Sequence, residues 1–321
     1  MILAKTSKTR SILLSLLLSC FIAQASAEDV LKPFVLASTA DAGQISAISD
    51  RVKSSLLEAG LDMIGEYSPY DSANVLVFSS PALRELATRS ERGGYGAVVK
   101  VSVTRNDDGI EIAYTNPHYW ANAFRMQANV DAVATQLKSA LGYEKQFGSG
   151  ELALTAEDLR KYHYTFMMEY FDDPSILNYF DSHEQAVATV RDNLAKKVAA
   201  TQQVYELELG SDSDGRPMTL FGVGLEGVDA DDCSSDAYIM SRIDKSSPRH
   251  SAHLPYEILV YGDHAEALYA RFRIAISWPH LPMMASDTGA TFLSIMCAPG
   301  AIEKTLTKVA GGVREASDRE K

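Results

Sequence analysis

The sequence predicts an α+β fold made of two tandem repeats, each a small antiparallel or mixed sheet with helices packed on one face. Three observations support this prediction. About 294 residues remain after a predicted export signal, a length at which chains usually divide into two cores. The same order of strand-like and helix-like segments occurs twice. A β-hairpin pattern, with strands at 97–103 and 110–114 around Asn106-Asp107-Asp108-Gly109, lies in the first repeat.

The first 27 residues have the order of a secretory signal peptide. Positive residues come first, then an apolar run, then a small-residue cleavage site: Lys5, Lys8, Arg10, then 12–23, then Ala25, Ser26 and Ala27. We expect cleavage before Glu28, which makes the mature protein periplasmic or secreted. The alternative takes Leu17-Leu18-Ser19-Cys20 as a lipoprotein box, which would anchor the chain to a bilayer through acylated Cys20.

The mature chain is strongly acidic. The formal charge of −12 becomes about −15 when the three positive residues of the signal are removed. Such a surface repels phosphate backbones and anionic lipids, so we expect no nucleic-acid partner. No segment of the mature chain is apolar over the roughly 20 residues that a transmembrane helix needs.

The first repeat is predicted to occupy residues 28–147. Period-two runs predict its strands, and apolar residues at helical spacing predict its helices. In chain order these are a strand at 34–37, a helix at 45–57, strands at 63–67 and 74–78, a helix at 81–89, the hairpin, and a helix at 130–141.

The second repeat is predicted to occupy residues 175–313, after a connecting segment at 148–174 and before a charged tail at 314–321. Within the connector, the alternation from Tyr162 to Met167 predicts a half-buried strand. The elements predicted for the second repeat are strands at 176–180, 204–209, 218–223, 256–261, 267–277 and 291–297, with helices at 183–199, 234–243 and 302–309.

Several phrases of the second repeat resemble the DUF302 family of small α+β domains: FDSHEQAVATVRDNL, MTLFGVGLEG, LPYEILVYGD and RFRIAISWPHL. The first repeat resembles it less closely, through SDRVKSSLLEAGLDMIGEY, GAVVKVSVTRNDDGIEIAY and TNPHYWANAF. Together the phrases cover roughly residues 33–310. The resemblance implies a fold and two tandem copies of it. It implies no activity, cofactor or catalytic residue.

A Pro-His pair ends the predicted hairpin of each repeat, at Pro117-His118 and Pro279-His280. Because the residue before a proline favours extended geometry, both imidazoles should lie where a strand ends and the chain turns. If the repeats pack about a pseudo-twofold axis, the two histidines face one cleft. The predicted ligand-binding residues are His118, Tyr119, Trp120, Trp278 and His280. The alternative is structural, with each ring nitrogen bonded to a nearby carbonyl.

Histidine and methionine side chains lie close together in two segments, and such ligands suit Cu(I). The predicted metal ligands are His163, His280, Met283 and Met284. Methionine is also a common filler of apolar cores, which is the alternative interpretation. His250-x-x-His253 is flanked by Pro248 and Pro255, so we expect a loop there in place of a metal-binding helix.

The mature chain contains two cysteines, Cys233 and Cys297. In an oxidising compartment they are candidates for one disulfide. The alternative is two separate thiols, with Cys297 buried in an apolar strand. An acidic cluster, Asp229 to Asp236, surrounds Cys233 and is interpreted as a solvated helix start or a weak calcium site.

The sequence contains no G-x-S-x-G elbow, no phosphate-binding glycine loop, no H-E-x-x-H zinc helix and no C-x-x-C-H haem site. We therefore predict no catalytic residue and no cofactor. The predicted function is that of a non-enzymatic exported protein that binds a small ligand or an envelope protein between the two halves. The alternatives are a periplasmic copper-handling protein and, third, a hydrolase with a dispersed site.

Overall fold

The computed structural model describes residues 29–41 and 43–313. Within these ranges the chain forms two antiparallel sheets covered by helices, so the α+β class is confirmed. The predicted signal peptide, its alternative lipid attachment at Cys20 and the charged tail lie outside the described residues. No helix within the described ranges has both the length and the apolar character needed to cross a membrane.

The first half forms a sheet with the strand order β2-β3-β4-β5-β1-β6, in which every neighbouring pair is antiparallel. Its strands are β1 (Phe34–Ala40), β2 (Asp62–Tyr70), β3 (Ala73–Ser79), β4 (Val99–Asn106), β5 (Gly109–Thr115) and β6 (Lys145–Phe147). Its helices are α1 (Ile45–Glu58), α2 (Pro81–Ala87), α3 (Pro117–Ala123) and α4 (Asp131–Leu141).

The connector contains one short helix, α5 (Ala156–Arg160), and the second half forms a sheet with the order β7-β11-β10-β9-β8. The strands are β7 (Pro174–Tyr179), β8 (Thr201–Ser211), β9 (Pro217–Leu225), β10 (Tyr256–Tyr261) and β11 (His264–Leu268). The helices are α6 (His183–Ala195), α7 (Asp236–Ile243), α8 (Ala270–Ser277) and α9 (Ala298–Val309).

The two halves have the same topology. Reading β7 to β11 as β1 to β5 reproduces the order of the first sheet, and β6 is an addition at its edge. The helices also correspond, with α6 and α7 in the places of α1 and α2, and α8 and α9 in the places of α3 and α4. The shared topology is an observation about the fold alone. Descent of the two halves from one duplicated domain stays a prediction.

The molecule has four layers. Helices α1 and α4 cover the outer face of the first sheet, and α6, α7 and α9 cover the outer face of the second. The inner faces of the two sheets pack against each other and share one apolar core, which includes Phe34, Val77, Leu220 and Leu259. We call this contact between the inner faces the seam. A fully buried apolar side chain stabilises the fold by about 1.5–3 kcal/mol. Because side chains of both halves are buried in this shared core, neither half has a core that is independent of the other.

Equivalent elements meet across the seam. Edge strands β2 and β8 lie so close that a Cβ atom added at Gly65 would be 2.6 Å from the Val204 carbonyl oxygen. Glu111 of β5 and Glu266 of β11 are both buried, and each accepts hydrogen bonds from the opposite half. One donor to Glu111 is the Arg249 backbone N–H, at 2.8 Å, and another is the Ser247 hydroxyl; Arg92 Nε donates to Glu266 at 3.0 Å. The arrangement resembles the interface of a symmetric dimer.

Three predicted strands are wrong. The segment from Tyr162 to Met167 is irregular, because Tyr162 and Tyr164 donate hydroxyl hydrogen bonds to backbone carbonyls of the second half and no sheet ladder forms. The predicted strand 267–277 is instead the end of β11 followed by helix α8. The predicted strand 291–297 contains a short 3₁₀ turn at Leu293–Ile295, directly before α9.

Candidate functional site

The inner face of the first sheet carries a row of buried polar side chains. Along β4, Val99, Val101 and Val103 point to the helix layer, so Lys100 and its alternate neighbours point into the seam. Lys100 is only 4% exposed. A lysine at such a position needs acceptors, because an unpaired buried ammonium is very costly.

The acceptors of Lys100 come from the second half. Its ammonium pairs with the Glu257 carboxylate and donates to the carbonyls of Pro255, at 2.7 Å, and His253, at 3.3 Å. Lys100 and Glu257 are each the second residue of equivalent strands, β4 and β10. A buried ion pair therefore joins the two inner faces.

Arg273 of α8 completes this cluster. Its Nε donates to Glu257 at 3.3 Å, and one of its terminal nitrogens donates to His253 Nδ1 at 2.7 Å and Ser277 Oγ at 3.0 Å. Because His253 Nδ1 accepts this bond, His253 Nε2 carries the proton and faces the Tyr256 hydroxyl at 3.2 Å. The fork of Arg273 thus fixes the tautomer of a buried histidine.

Burial controls the protonation of the cluster. It lowers the pKa of Lys100 to about 7, while the neighbouring Glu257 carboxylate acts in the opposite direction. Burial likewise lowers the pKa of His253 well below its ordinary value, and the positive charges of Arg273 and Lys100 lower it further. His253 is therefore neutral at neutral pH.

A small cavity of about 40 Å³ lies beside the ion cluster. Its polar end consists of Lys100, Thr115, Glu257 and Arg273, and most of the remaining wall is apolar. This volume holds a few water molecules or the body of a very small ligand. Aromatic and apolar wall residues come mainly from α3 and the loop that follows it: Pro117, Trp120, Ala121, Phe124, Met126 and Val130.

Two contacts shape the wall of this cavity. The Arg273 guanidinium lies 5.4 Å from the centroid of the Trp120 ring, which is a cation–π contact between the halves. Met126 packs over Gly96, where an added Cβ atom would lie 2.1 Å from the methionine sulfur. Gly96 is therefore needed for the Met126 side chain to close this side of the cavity.

The polar side chains that line the cavity are already engaged with one another and with the backbone. Lys100 already donates to three acceptors, and the Thr115 hydroxyl accepts the backbone N–H of Lys100 at 3.1 Å. Among the lining residues, all of which lie in the described part of the chain, no hydroxyl or thiol is paired with a histidine base. The polar groups can orient a ligand through charge and hydrogen bonds.

The first predicted Pro-His corner begins a helix. Pro117 is in the first turn of α3, and the Asn116 side chain caps the helix at His118 N–H, 3.2 Å away. His118 is partly exposed and lies 3.5 Å from Asp131. Tyr119 is buried and donates its hydroxyl to the Ile276 carbonyl at 2.8 Å, so its role in the structure is packing between halves.

The second predicted corner follows helix α8, where a strand end was expected. Trp278 is buried and stacks on His250, with ring centroids 4.8 Å apart, and His280 is exposed. Phe34 connects the two corners, since its ring lies 6.3 Å from Trp120 and 5.0 Å from His250. The corners therefore both reach the seam. Of the five predicted ligand-binding residues, however, only Trp120 lines the cavity.

The predicted copper ligands lie in segments that touch each other, since the Tyr164 hydroxyl donates to the Leu281 carbonyl at 2.6 Å. His163 Nδ1 bonds the Thr165 carbonyl oxygen at 2.9 Å. Met283 and Met284 are exposed at 50% and 75% and so do not fill the core. Within the described ranges, no group of three or more His, Cys, Asp or Glu side chains could hold a metal ion.

Cys233 and Cys297 form a disulfide with a Cα–Cα distance of 5.8 Å. Cys297 is exposed just before α9, so the alternative of a buried thiol in an apolar strand is wrong.

The aspartates of the acidic cluster beside Cys233 have different environments. Asp236 is buried and accepts the Tyr67 hydroxyl at 2.7 Å, whereas Asp232 accepts backbone N–H groups of its own loop.

Sequence reasoning missed Lys100, Glu257 and Arg273, and it interpreted His253 only as part of a loop between two prolines. The available signal was charge within apolar strands, because VVKVSV and YEILVY each place one charged residue in an otherwise apolar or small run.

No family model, curated protein or solved structure matches this chain.

Proposed function

We propose that this chain is an exported, non-enzymatic binding protein whose ligand occupies the cavity at the seam. The leader pattern supports export. The Cys233–Cys297 disulfide is of the kind that persists in oxidising compartments. The observation that carries the proposal is a cavity with an apolar wall from the first half and a charged end built by both halves.

The lining favours a short-chain carboxylate. Arg273 and Lys100 face one carboxylate, Glu257. Because the pKa of Lys100 is about 7, an anion at the polar end gains a net attraction at neutral pH and below. Phe124, Met126 and the other apolar wall residues would then cover a short aliphatic chain. The small volume excludes larger ligands.

The test is to fill the cavity and measure ligand-induced stabilisation. Formate, acetate and propionate should each raise the melting temperature of the wild-type protein, because a ligand that binds the native state stabilises it. Ala121→Leu adds bulk to the cavity wall and should abolish this rise.

Ala275→Leu is the matched control. Ala275 is also a fully buried helical alanine, but it lies in the outer core of the second half and does not line the cavity. This control should keep the ligand-induced rise even if its own melting temperature falls. Equal responses of the two variants, or no response of the wild type to any of the three acids, would refute the proposed ligand class.

A further inference from the structure

Two histidines that are far apart in sequence lie together at the edge of the seam. His250 immediately precedes the 3₁₀ turn Ser251–His253, and His280 follows α8. Their ring centroids are 6.1 Å apart. This pair is separate from the cavity described above, whose lining includes neither residue.

His250 is buried among aromatic rings, with Phe34 at 5.0 Å, Phe147 at 5.5 Å and Trp278 at 4.8 Å between centroids. Its Nδ1 atom is buried and has no hydrogen-bond partner among the described residues. A buried ring nitrogen without a hydrogen-bond partner is unfavourable, which makes this atom a candidate metal ligand. His280 is exposed, so an ion from solvent can reach the pair.

Two glycines leave room for the imidazoles. A Cβ atom added at Gly148 would lie 3.3 Å from Cε1 of His250, and one added at Gly150 would lie 3.2–3.4 Å from atoms of His280. Both glycines also have positive φ angles, +108° and +55°. The Phe147-to-Gly150 segment thus passes both rings closely, and side chains there would crowd them.

We propose that His250 and His280 together bind one Cu(I) ion. An ion bonded at about 2 Å to one nitrogen of each ring holds the two centroids about 5–6 Å apart, close to the separation observed. At the wide end of that range the two nitrogens lie on nearly opposite sides of the ion. Two-coordinate Cu(I) accepts this arrangement, and imidazole suits copper.

The surroundings favour a monovalent ion over zinc. Lys32 lies nearby, with its ammonium bonded to the Gly150 carbonyl at 2.8 Å, and its charge opposes a divalent cation more than a monovalent one. Structural zinc sites have four protein ligands and catalytic sites usually three. The described residues offer no group of three His, Cys, Asp or Glu ligands.

Each imidazole is held by a backbone carbonyl. The Ser277 carbonyl bonds the His250 ring, and the Gly148 carbonyl bonds the His280 ring. A hydrogen bond of this kind orients a ligating imidazole and leaves its other nitrogen for the metal.

The test is an anaerobic titration of the protein with Cu(I) against a chromophoric chelator. The wild type should bind one ion. His280→Ala and His250→Phe should each weaken binding by at least about 100-fold, because loss of a ligand costs no less than the largest effects of second-shell changes. Phenylalanine preserves the ring packing of His250, and His280 is exposed, so its alanine variant tests the site even if His250→Phe does not fold.

His118→Ala is the control, since it removes a partly exposed histidine from the other corner and should leave Cu(I) affinity unchanged. X-ray absorption of the copper-loaded protein should show nitrogen neighbours. Failure of the wild type to bind Cu(I), unchanged affinity in His280→Ala, sulfur neighbours from Met283 or Met284, or tighter binding of zinc than of Cu(I) would each overturn the proposal.

Discussion

Lys100 of the first half forms a buried ion pair with Glu257 of the second half. Replacing it with methionine keeps most of its volume but leaves Glu257 with Arg273 as its remaining cation. Breaking a buried pair by removing one partner costs about 3–5 kcal/mol. We expect Lys100→Met to lower the free energy of unfolding by that amount in urea titrations. Lys161→Met, which removes an exposed pair with Glu157, should cost far less, because solvent screens that pair. Similar losses in both variants would contradict this prediction.

Asp236 should make the protein less stable as the pH rises. Burial raises the pKa of this carboxyl from 3.8 to about 7. Between those values the folded state holds a proton that the unfolded state has lost, so this group's contribution to stability falls as the pH rises from about 4 to about 7. Asp236→Asn keeps acceptors for the Tyr67 hydroxyl and the Leu225 N–H but cannot ionise.

The measurement is the unfolding free energy of both proteins across this pH range. The difference, variant minus wild type, should increase from pH 4 to pH 7 and become constant above the folded-state pKa of Asp236. A difference that stays constant over the whole range would show that Asp236 is charged in the folded protein throughout.

For single residues, the sequence shows which side chains share a face of a strand, but it does not show whether that face is exposed to solvent or buried. The alternation around Lys100 correctly predicts a two-faced strand, with valines on one face and polar side chains on the other. Such a pattern normally indicates a solvated polar face. Here that face is buried against β10 and the turn before it, and only the packing of the two halves decides this.

The disulfide connects two elements of the second half, the loop before α7 and the start of α9. The cysteines are 64 residues apart in sequence, and a loop of this size contributes about 2–4 kcal/mol through the entropy of the unfolded chain. We expect the Cys233→Ser, Cys297→Ser double variant to unfold at a lower temperature by calorimetry. Reductant should lower the melting temperature of the wild type and leave that of the variant unchanged. A variant as stable as the oxidised wild type would contradict this expectation.

The accuracy of the predicted elements depends on whether an element has a polar face. Helices α1 and α4 are amphipathic, and the predicted ranges match them closely. Helix α8 is buried on nearly all sides, so its alternating Phe272, Ile274 and Ile276 predict a strand. Short apolar runs such as 291–297 are ambiguous for the same reason, since periodicity alone does not separate a buried strand from a buried helix turn.

For the whole molecule, the repeated order of elements predicts two sheets, but it does not show how they face each other. The observed packing puts both inner faces in one core, with charged pairs crossing between them. The predicted boundary at residue 147 coincides with the end of β6. Residue 147 therefore separates the two sheets in the sequence, but the apolar core between the sheets contains residues from both sides of this boundary.

Because the core is shared, cutting the connector should not separate the halves. A protease site inserted between Glu151 and Leu152, which are exposed, allows the folded protein to be cleaved there. The cleaved protein should elute as one species in gel filtration and unfold in a single transition, since neither inner face is stable in water alone. Its melting temperature should fall on dilution, because the halves are now held only by the seam. Two separate peaks, or two transitions in calorimetry, would mean that each half has its own core and that the cavity between them is not fixed by the fold.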